Sequence, residues 1–191
     1  MRKRISNQYL QYHIYSHKSR WLREIADTTF KSSVSEHERS MLQLACNSLV
    51  YNDSVYRFMA SGIAATQIGS KHRFIVTAKL QSSYSSKASG VDMQVLLNPE
   101  ITDRSAEMQD SLEGCLSFEP YQCYVPRHKQ IEIKYLDIQS GLYVKETVSG
   151  EYANVVQHEI DHLDGVTMID RSTKTIVNPF WPQEKRNRKL R

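Results

Sequence analysis

The sequence predicts an α+β fold in which mixed or antiparallel sheets wrap around a central helix. Three observations predict it: a capped helix near the N-terminus, several short strand patterns after it, and a strongly apolar helix over about residues 151–163. Consecutive strands form antiparallel sheets, and a late helix must bury its apolar side against them. The 191 residues suffice for one domain with a substantial core.

The first helix is predicted over about residues 35–51. Ser35 and Glu38 have the spacing of a capping box, in which each side chain bonds the backbone of the other residue. Apolar residues then recur at helical spacing from Met41 to Val50.

Short apolar runs and an alternating run predict the strands. The predicted elements are strands at 74–76 and 95–97, a stop at Asn98 and Pro99, a loop at 81–90, a strand at 131–135, a turn at Gly141 and a hairpin partner at 142–148. The apolar helix follows and ends at Asp164 and Gly165, because glycine is favoured just after a helix.

Composition restricts the function classes. Hydrophobic residues make up 40% of the chain and charged residues 24%, and the net charge is +4. No apolar run approaches the ~18 residues of a membrane span, so no membrane partner is predicted. The modest charge does not indicate specific DNA binding. The three cysteines are too few, and odd in number, for a disulfide framework, which predicts a reducing compartment such as the bacterial cytoplasm.

The apolar helix carries the pattern His-Glu-x-x-His at His158, Glu159 and His162. Residues four apart share one helix face, so the two imidazoles can bind one divalent ion and Glu159 can act as a general base beside it. The competing interpretation is an exposed polar face with incidental histidines. Val156 and Ile160 indicate a buried helix instead, where polar groups need partners. A metal-dependent hydrolase is therefore predicted.

The third ligand is predicted upstream. No histidine follows His162, and the downstream carboxylates do not lie in an obvious second helix. Cys115 offers a thiolate next to Gly114, where the backbone can approach an ion closely. A small buried cysteine is the ordinary interpretation of such a residue, but beside the helix motif the ligand role is favoured.

A third segment, residues 62–69, combines small residues with the amide of Gln67. A tight packing turn would explain it. In a hydrolase, the amide of Gln67 can donate to a developing oxyanion.

These three segments, in this order, resemble the motifs of peptide deformylases. The family pattern Ala-Ala-x-Gln is matched within residues 62–67, Glu-Gly-Cys-Leu-Ser by residues 113–117, and Gln-His-Glu-x-Asp-His-Leu by residues 157–163. The resemblance extends over about residues 20–170.

The resemblance implies a metal site of Cys115, His158 and His162, with Glu159 as general base and acid. Ferrous iron is the implied native metal, and zinc, nickel or cobalt can take its place. A Cys-His-His set does not by itself distinguish iron from zinc.

The resemblance also implies an oxyanion hole formed by Gln67 and the backbone N–H of Leu116. The backbone of Gly62 would pair with the substrate peptide as an added strand, and Arg127 would support the site. The implied substrate-binding residues are Gly62, Ile63, Glu113, Gly114, Arg127, Glu151, Asn154 and Val155.

The implied reaction is removal of the N-formyl group from the N-terminal methionine of nascent polypeptides, with release of formate. The implied partners are N-formylmethionyl peptides. The alternative is an N-deacylase that acts on a different acyl or peptide substrate with the same scaffold.

Departures from the family pattern motivate that alternative. Ala60 replaces a usual glycine, Thr66 a usual proline, Gln122 a frequent arginine, and Glu151 a commonly apolar residue. Three of these positions concern substrate preference, whereas Thr66 is not expected to affect catalysis.

The chain is predicted to consist of a basic N-terminal extension (1–20), the catalytic domain (21–170) and a basic C-terminal tail (171–191). The extension has no acidic residue before Glu24, a composition also found in organellar transit peptides, so an organellar location is the alternative. The tail is predicted to be solvated, with contact to ribosomal RNA as the alternative.

Overall fold

The computed structural model describes residues 14–31, 34–51, 61–79 and 92–179, and the statements below concern this part of the chain. The helices are α1 (Glu36–Tyr51), α2 (Gly150–Leu163) and α3 (Met168–Arg171), with short 3-10 turns at Arg20–Arg23 and Ala65–Ile68. The strands are β1 (Gly62–Ala64), β2 (Phe74–Lys79), β3 (Asp92–Arg104), β4 (Met108–Gly114), β5 (Tyr121–His128), β6 (Gln130–Asp137), β7 (Tyr143–Ser149) and β8 (Lys174–Val177).

Two antiparallel sheets enclose helix α2. One sheet has five strands in the order β1-β2-β3-β6-β7, and the other has three in the order β4-β5-β8. Helix α2 contacts β1, β2, β6 and β7 of the first sheet and β5 of the second. The α+β fold with a central helix is therefore confirmed.

The main core lies between α2 and the five-stranded sheet. Ala153, Val156 and Leu163 of the helix are fully buried there, together with Ile63 and Phe74 of the sheet. Burial of a large apolar side chain contributes about 1.5–3 kcal/mol. A second buried cluster lies toward the three-stranded sheet and contains Leu22, Cys115, Phe118, Cys123, Val125 and Met168.

Most predicted elements are present with small shifts of their ends. Helix α1 begins with the predicted capping box, because Ser35 N donates to Glu38 Oε2 at 2.7 Å and Glu38 N donates to Ser35 Oγ at 3.3 Å. Helix α2 covers the predicted range and starts one residue earlier. Strands β2, β6 and β7 contain or overlap the predicted runs, and Gly141 and Gly165 have the positive φ expected of a turn and a helix end.

The prediction that Asn98 and Pro99 end a strand is wrong. Strand β3 continues to Arg104 through a register shift between Leu97 and Glu100. A bulge absorbs the proline, which has no N–H for the ladder. Asn98 adopts φ +49°, and its side chain accepts from Phe30 N at 2.7 Å and donates to Phe30 O at 2.8 Å.

The described part of each predicted terminal segment packs on the fold. Tyr15 N donates to Gln67 O at 2.9 Å, and His17 N donates to Ser117 O at 2.7 Å. Strand β8 pairs with β5, so the first part of the predicted tail contains a strand of the three-stranded sheet. The rest of the extension and tail, the loop at 81–90 and Ala60 lie outside the described residues. Among the described helices, none has the length and apolar character needed to cross a membrane.

The Asn98 side chain yields a stability prediction. We expect Asn98→Ala to lower the free energy of unfolding by about 2–3 kcal/mol, because alanine loses both bonds to Phe30 and is strained at positive φ. Asn98→Gly keeps the permitted φ and should lose less. Urea unfolding measures both values, and equal stability of the alanine variant and the parent would contradict this account.

Candidate active site

Helix α2 presents its polar motif in the interior. His158, Glu159 and His162 are between 0% and 7% exposed. The apolar residues of the helix pack on the five-stranded sheet, whereas Glu159 lies against Gly62 of the edge strand β1 and His158 lies against Glu113 of β4. Polar groups buried in this way are costly unless other groups bind them.

Cys115 meets the two histidines. The ligand atoms of Cys115, His158 and His162 all lie within 4.8 Å of one another, and Cys115 Sγ lies 3.3 Å from His162 Nε2. Ligands held about 2.0–2.3 Å from one ion in a tetrahedron lie roughly 3.5 Å apart. The predicted thiolate and imidazoles therefore form a candidate metal site, and this donor set fits a divalent transition metal.

Glu113 fixes the orientation of the first imidazole. His158 Nδ1 lies 2.8 Å from Glu113 Oε2, which leaves Nε2 of His158 for an ion. Burial raises the pKa of Glu113, but its bonds to His158 and Arg127 outweigh this and lower it to about 2, so the carboxylate is charged. A carboxylate behind a metal-binding histidine fixes its tautomer and strengthens it as a ligand.

Arg127 connects this carboxylate to helix α2. Its guanidinium donates to Glu113 at 2.7 and 3.0 Å and to Asp161 at 2.5 Å. Asp161 also accepts two bonds from Arg171, at 2.6 and 2.8 Å. Arg127 is 3% exposed and does not line the cavity described below. The expectation that it binds substrate is therefore corrected: Arg127 supports Glu113.

Glu159 is desolvated beside the candidate metal site. Its Oε2 is buried and has no hydrogen-bond partner among the described residues. Burial raises the pKa of Glu159 to about 7. Burial also lowers the pKa of His162, which keeps that imidazole neutral as a ligand must be.

Gly62 makes room for the Glu159 side chain. A Cβ at Gly62 would lie 2.6 Å from Glu159 Oε1 and 2.8 Å from its Cγ. These distances are shorter than nonbonded contacts allow. The Glu159 carboxylate can therefore occupy this position only because Gly62 has no side chain.

The amide of Gln67 has a defined orientation. Its Oε1 accepts from Ala64 N at 2.9 Å, so the NH₂ group points the other way, 3.1 Å from Ser117 Oγ and 3.6 Å from Cys115 Sγ. A donor is thereby held next to the candidate metal ligands, as an oxyanion hole requires.

A cavity of about 900 Å³ opens beside this cluster. It is lined by residues of β1, β4 and β5 and by two stretches of α2, one at the start of the helix and one at the polar motif. The predicted site residues that line it are Gly62, Gln67, Glu113, Gly114, Cys115, Leu116, Glu151, Asn154, Val155, His158 and Glu159.

The expectation that Ile63 binds substrate is wrong. Its side chain is fully buried in the core. Its backbone also faces β2, because Ala78 N donates to Ser61 O at 2.8 Å and alternate residues of an antiparallel strand face the same neighbour. By the same alternation, the N–H and C=O of Gly62 point away from β2, and Gly62 borders the cavity.

Sequence reasoning missed three supporting residues. Ser117 and Asp161 lie inside the motifs quoted above. The sequence does not show, however, that Ser117 bonds Gln67 or that Asp161 bonds Arg127. Gln109 donates to Asn154 Oδ1 at 3.1 Å and joins β4 to α2. No pattern in the sequence marks Gln109, because the contact depends on how the strand docks on the helix.

A thiolate and two imidazoles converge at one end of a cavity, where an unpaired carboxylate and an oriented amide face them. This fold and this arrangement define the class of metal-dependent hydrolases.

Comparison with known proteins identifies the family. The model of the polypeptide deformylase family matches residues 12–177. Peptide deformylase 2 of Nostoc sp. is 37% identical over 110 residues, which cover 58% of this chain and 61% of the relative, less than two thirds of its length. Peptide deformylase of Thermomicrobium roseum is 39% identical over 132 residues, which cover 69% of this chain and 73% of the relative.

A solved structure agrees in fold. The peptide deformylase of Acinetobacter baumannii bound to Met-Ala-Ser has a TM-score of 0.69 and 27% identity, over 83% of this chain and 96% of that chain. The chain belongs to the polypeptide deformylase family, and the family predicted from the three motifs is confirmed.

The role of Cys115 yields a prediction on metal content. We expect Cys115→Ser to bind metal much more weakly than the parent, because a neutral hydroxyl replaces a thiolate. Cys123→Ser is the matched control, since Cys123 is also buried but its Sγ lies 3.4 Å from Thr175 Oγ1 and does not converge with the two histidines. Elemental analysis after dialysis measures the content, and retention of stoichiometric metal by Cys115→Ser would remove it from the ligand set.

The contact between Gly62 and Glu159 yields a second prediction. We expect Gly62→Ala to displace the carboxylate and lower kcat about 100-fold while metal content stays near that of the parent. Gly165→Ala is the steric control, because its Cβ would lie 2.9 Å from Arg23 O, remote from the cavity. The control should lose thermal stability but not kcat. Full activity of Gly62→Ala would contradict the packing argument.

Proposed function

We propose that this protein is a peptide deformylase, which hydrolyses the formamide at the N-terminus of nascent polypeptides and releases formate and a free amine. The observation that carries the proposal is the position of the unpaired, buried Glu159 carboxylate beside the cluster of Cys115, His158 and His162. The oriented amide of Gln67 supports it.

The three ligands would hold one divalent cation. Such a cation supplies a water of lowered pKa and polarises the carbonyl group that is attacked. We propose Fe²⁺ as the native ion, with Zn²⁺, Ni²⁺ or Co²⁺ able to replace it. Metal analysis after anaerobic purification distinguishes these ions, and loss of activity in air would favour iron.

Glu159 performs the proton transfers. Its carboxylate lies beside the cluster and is shielded from solvent, so it can take the proton of the attacking water and return it to the leaving amine. Gln67 Nε2 and the backbone N–H of Leu116 donate to the oxygen that gains charge in the transition state. Glu113 holds the first imidazole in place throughout.

The peptide binds along free strand edges. The outward N–H and C=O of Gly62 would pair with the peptide backbone as in strand addition, and Gly114 borders the same cavity. Glu151, Asn154 and Val155 would contact the side chains. The Met-Ala-Ser peptide bound to the Acinetobacter baumannii relative supports a substrate that begins with methionine.

The remaining predictions concern the setting of the enzyme. Action in a bacterial-type cytoplasm is proposed, with an organelle as the alternative. Ribosome contact through the basic tail also stays a prediction, because residues 180–191 lie outside the described residues. Cosedimentation of ribosomes with the full chain and with a chain truncated after residue 179 tests the contact.

Substitution of Glu159 tests the proposed reaction. We expect Glu159→Gln to retain the metal and lose at least about 1,000-fold in kcat, because the amide cannot accept the proton. Formate release from formyl-Met-Ala-Ser by metal-loaded protein measures the rate. Substantial turnover by the variant would refute the general-base role.

Comparison of acyl groups separates deformylation from the deacylase alternative. Formyl, acetyl and butanoyl versions of one Met-Ala-Ser peptide differ only in the group that must fit beside the cluster. A clear preference for the formyl peptide supports the proposal, whereas faster release of a longer acyl group would replace it with the alternative.

A further inference from the structure

The described part of the cavity wall carries an excess of acidic residues. Among the described residues that line the cavity, none is lysine or arginine, while five are acidic: Asp110, Glu113, Glu119, Glu151 and Glu159. Carboxylates that line a cavity raise the local concentration of cationic groups and repel anionic ones.

Two of these carboxylates have no ionic partner among the described residues. Glu113 is neutralised by Arg127, Glu159 belongs to the reaction, and Glu119 has other interactions. Asp110 and Glu151 are exposed, and neither forms an ion pair within the described part of the chain.

Both carboxylates border the same cavity, but they belong to different elements. Gln109 Nε2 donates to Asn154 Oδ1 at 3.1 Å, and this bond joins strand β4 to helix α2. Asp110 follows Gln109, with its side chain on the opposite face of β4, and Glu151 lies one helical turn before Asn154. The two carboxylates therefore reach the cavity from β4 and from the start of α2.

The position of Glu151 along α2 indicates which substrate residue it faces. Glu151 precedes His158 by seven residues, which corresponds to roughly 10 Å along a helix. An extended peptide advances about 3.3 Å per residue. With the formyl group at the metal cluster, a peptide that follows α2 reaches Glu151 at about its second or third residue.

We propose that Asp110 and Glu151 make this enzyme prefer formyl peptides with lysine or arginine at the second or third residue. The inference rests on the proposed deformylase function. Glu151 also lies at the N-terminal turn of α2, where a carboxylate stabilises the helix dipole. That role predicts lower stability of a Glu151 variant but no change in peptide preference, and it does not apply to Asp110 on a strand.

Peptides of matched length test the preference. The substrates are formyl-Met-Ala-Ala, formyl-Met-Ala-Lys and formyl-Met-Ala-Glu with amidated C-termini, together with the isomers that carry the charge at the second residue. We expect kcat/KM for the better lysine peptide to exceed that for its glutamate counterpart about tenfold, because exposed charge pairs contribute modestly and two carboxylates act together. Added salt should reduce the ratio.

Variants assign the preference to these residues. The double variant Asp110→Asn with Glu151→Gln should bring the lysine-to-glutamate ratio below about twofold. Asp27→Asn with Glu100→Gln is the matched control, since it removes the same charge from exposed positions that do not line the cavity. The control should keep the parent ratio.

Two results would overturn the inference: a ratio near one for the parent, or an unchanged ratio in the double variant. Binding of the same peptides to metal-loaded Glu159→Gln by calorimetry gives the preference without turnover. If the parent released no formate from any peptide, the proposed function would fail, and the binding ratio would still decide the charge preference separately.

Discussion

Burial of a polar helix is the constraint on which the structure depends. Five of the last seven residues of helix α2 are polar or charged and are at most 7% exposed. Each must be paired, since an unpaired buried polar group costs about 1–3 kcal/mol and a charged group more. The five residues are Gln157, His158, Glu159, Asp161 and His162.

The partners of these side chains come from the three-stranded sheet and thereby fix its position. The amide of Gln157 bonds both the N–H and the C=O of His128 at 3.1 and 3.0 Å, and so attaches the helix to β5. Arg127 of the same strand bridges Glu113 and Asp161. Removal of one member of a buried ion pair costs about 3–5 kcal/mol, so strand, helix and candidate metal ligands hold one another in register. Two atoms are exceptions, since neither Glu159 Oε2 nor His162 Nδ1 has a hydrogen-bond partner among the described residues. The unpaired oxygen of Glu159 lies where the proposed reaction needs a base.

The sequence predicted the elements that carry a local signal. A capping box, alternating apolar residues and the helix motif depend on near neighbours, and α1, β6 and α2 were predicted accordingly. The bulge at Asn98 was missed because its stabilising partner, Phe30, lies 68 residues away. The residues of the candidate metal site could be predicted from their chemical type. The residues that support them could not, since a bond such as that between Gln109 and Asn154 exists only once the sheet has docked on the helix.

Ile63 shows why membership of a motif is not enough to assign a substrate-binding role. The motif around it places one residue at the edge of β1 and the next in the core, because successive residues of a strand face opposite sides. Gly62 takes the edge position and does two things there. Its missing side chain admits the Glu159 carboxylate, and its backbone N–H and C=O stay unpaired by β2. A larger residue would displace the carboxylate and obstruct the same edge, so the close approach of strand to helix couples the position of the base to the position of the peptide.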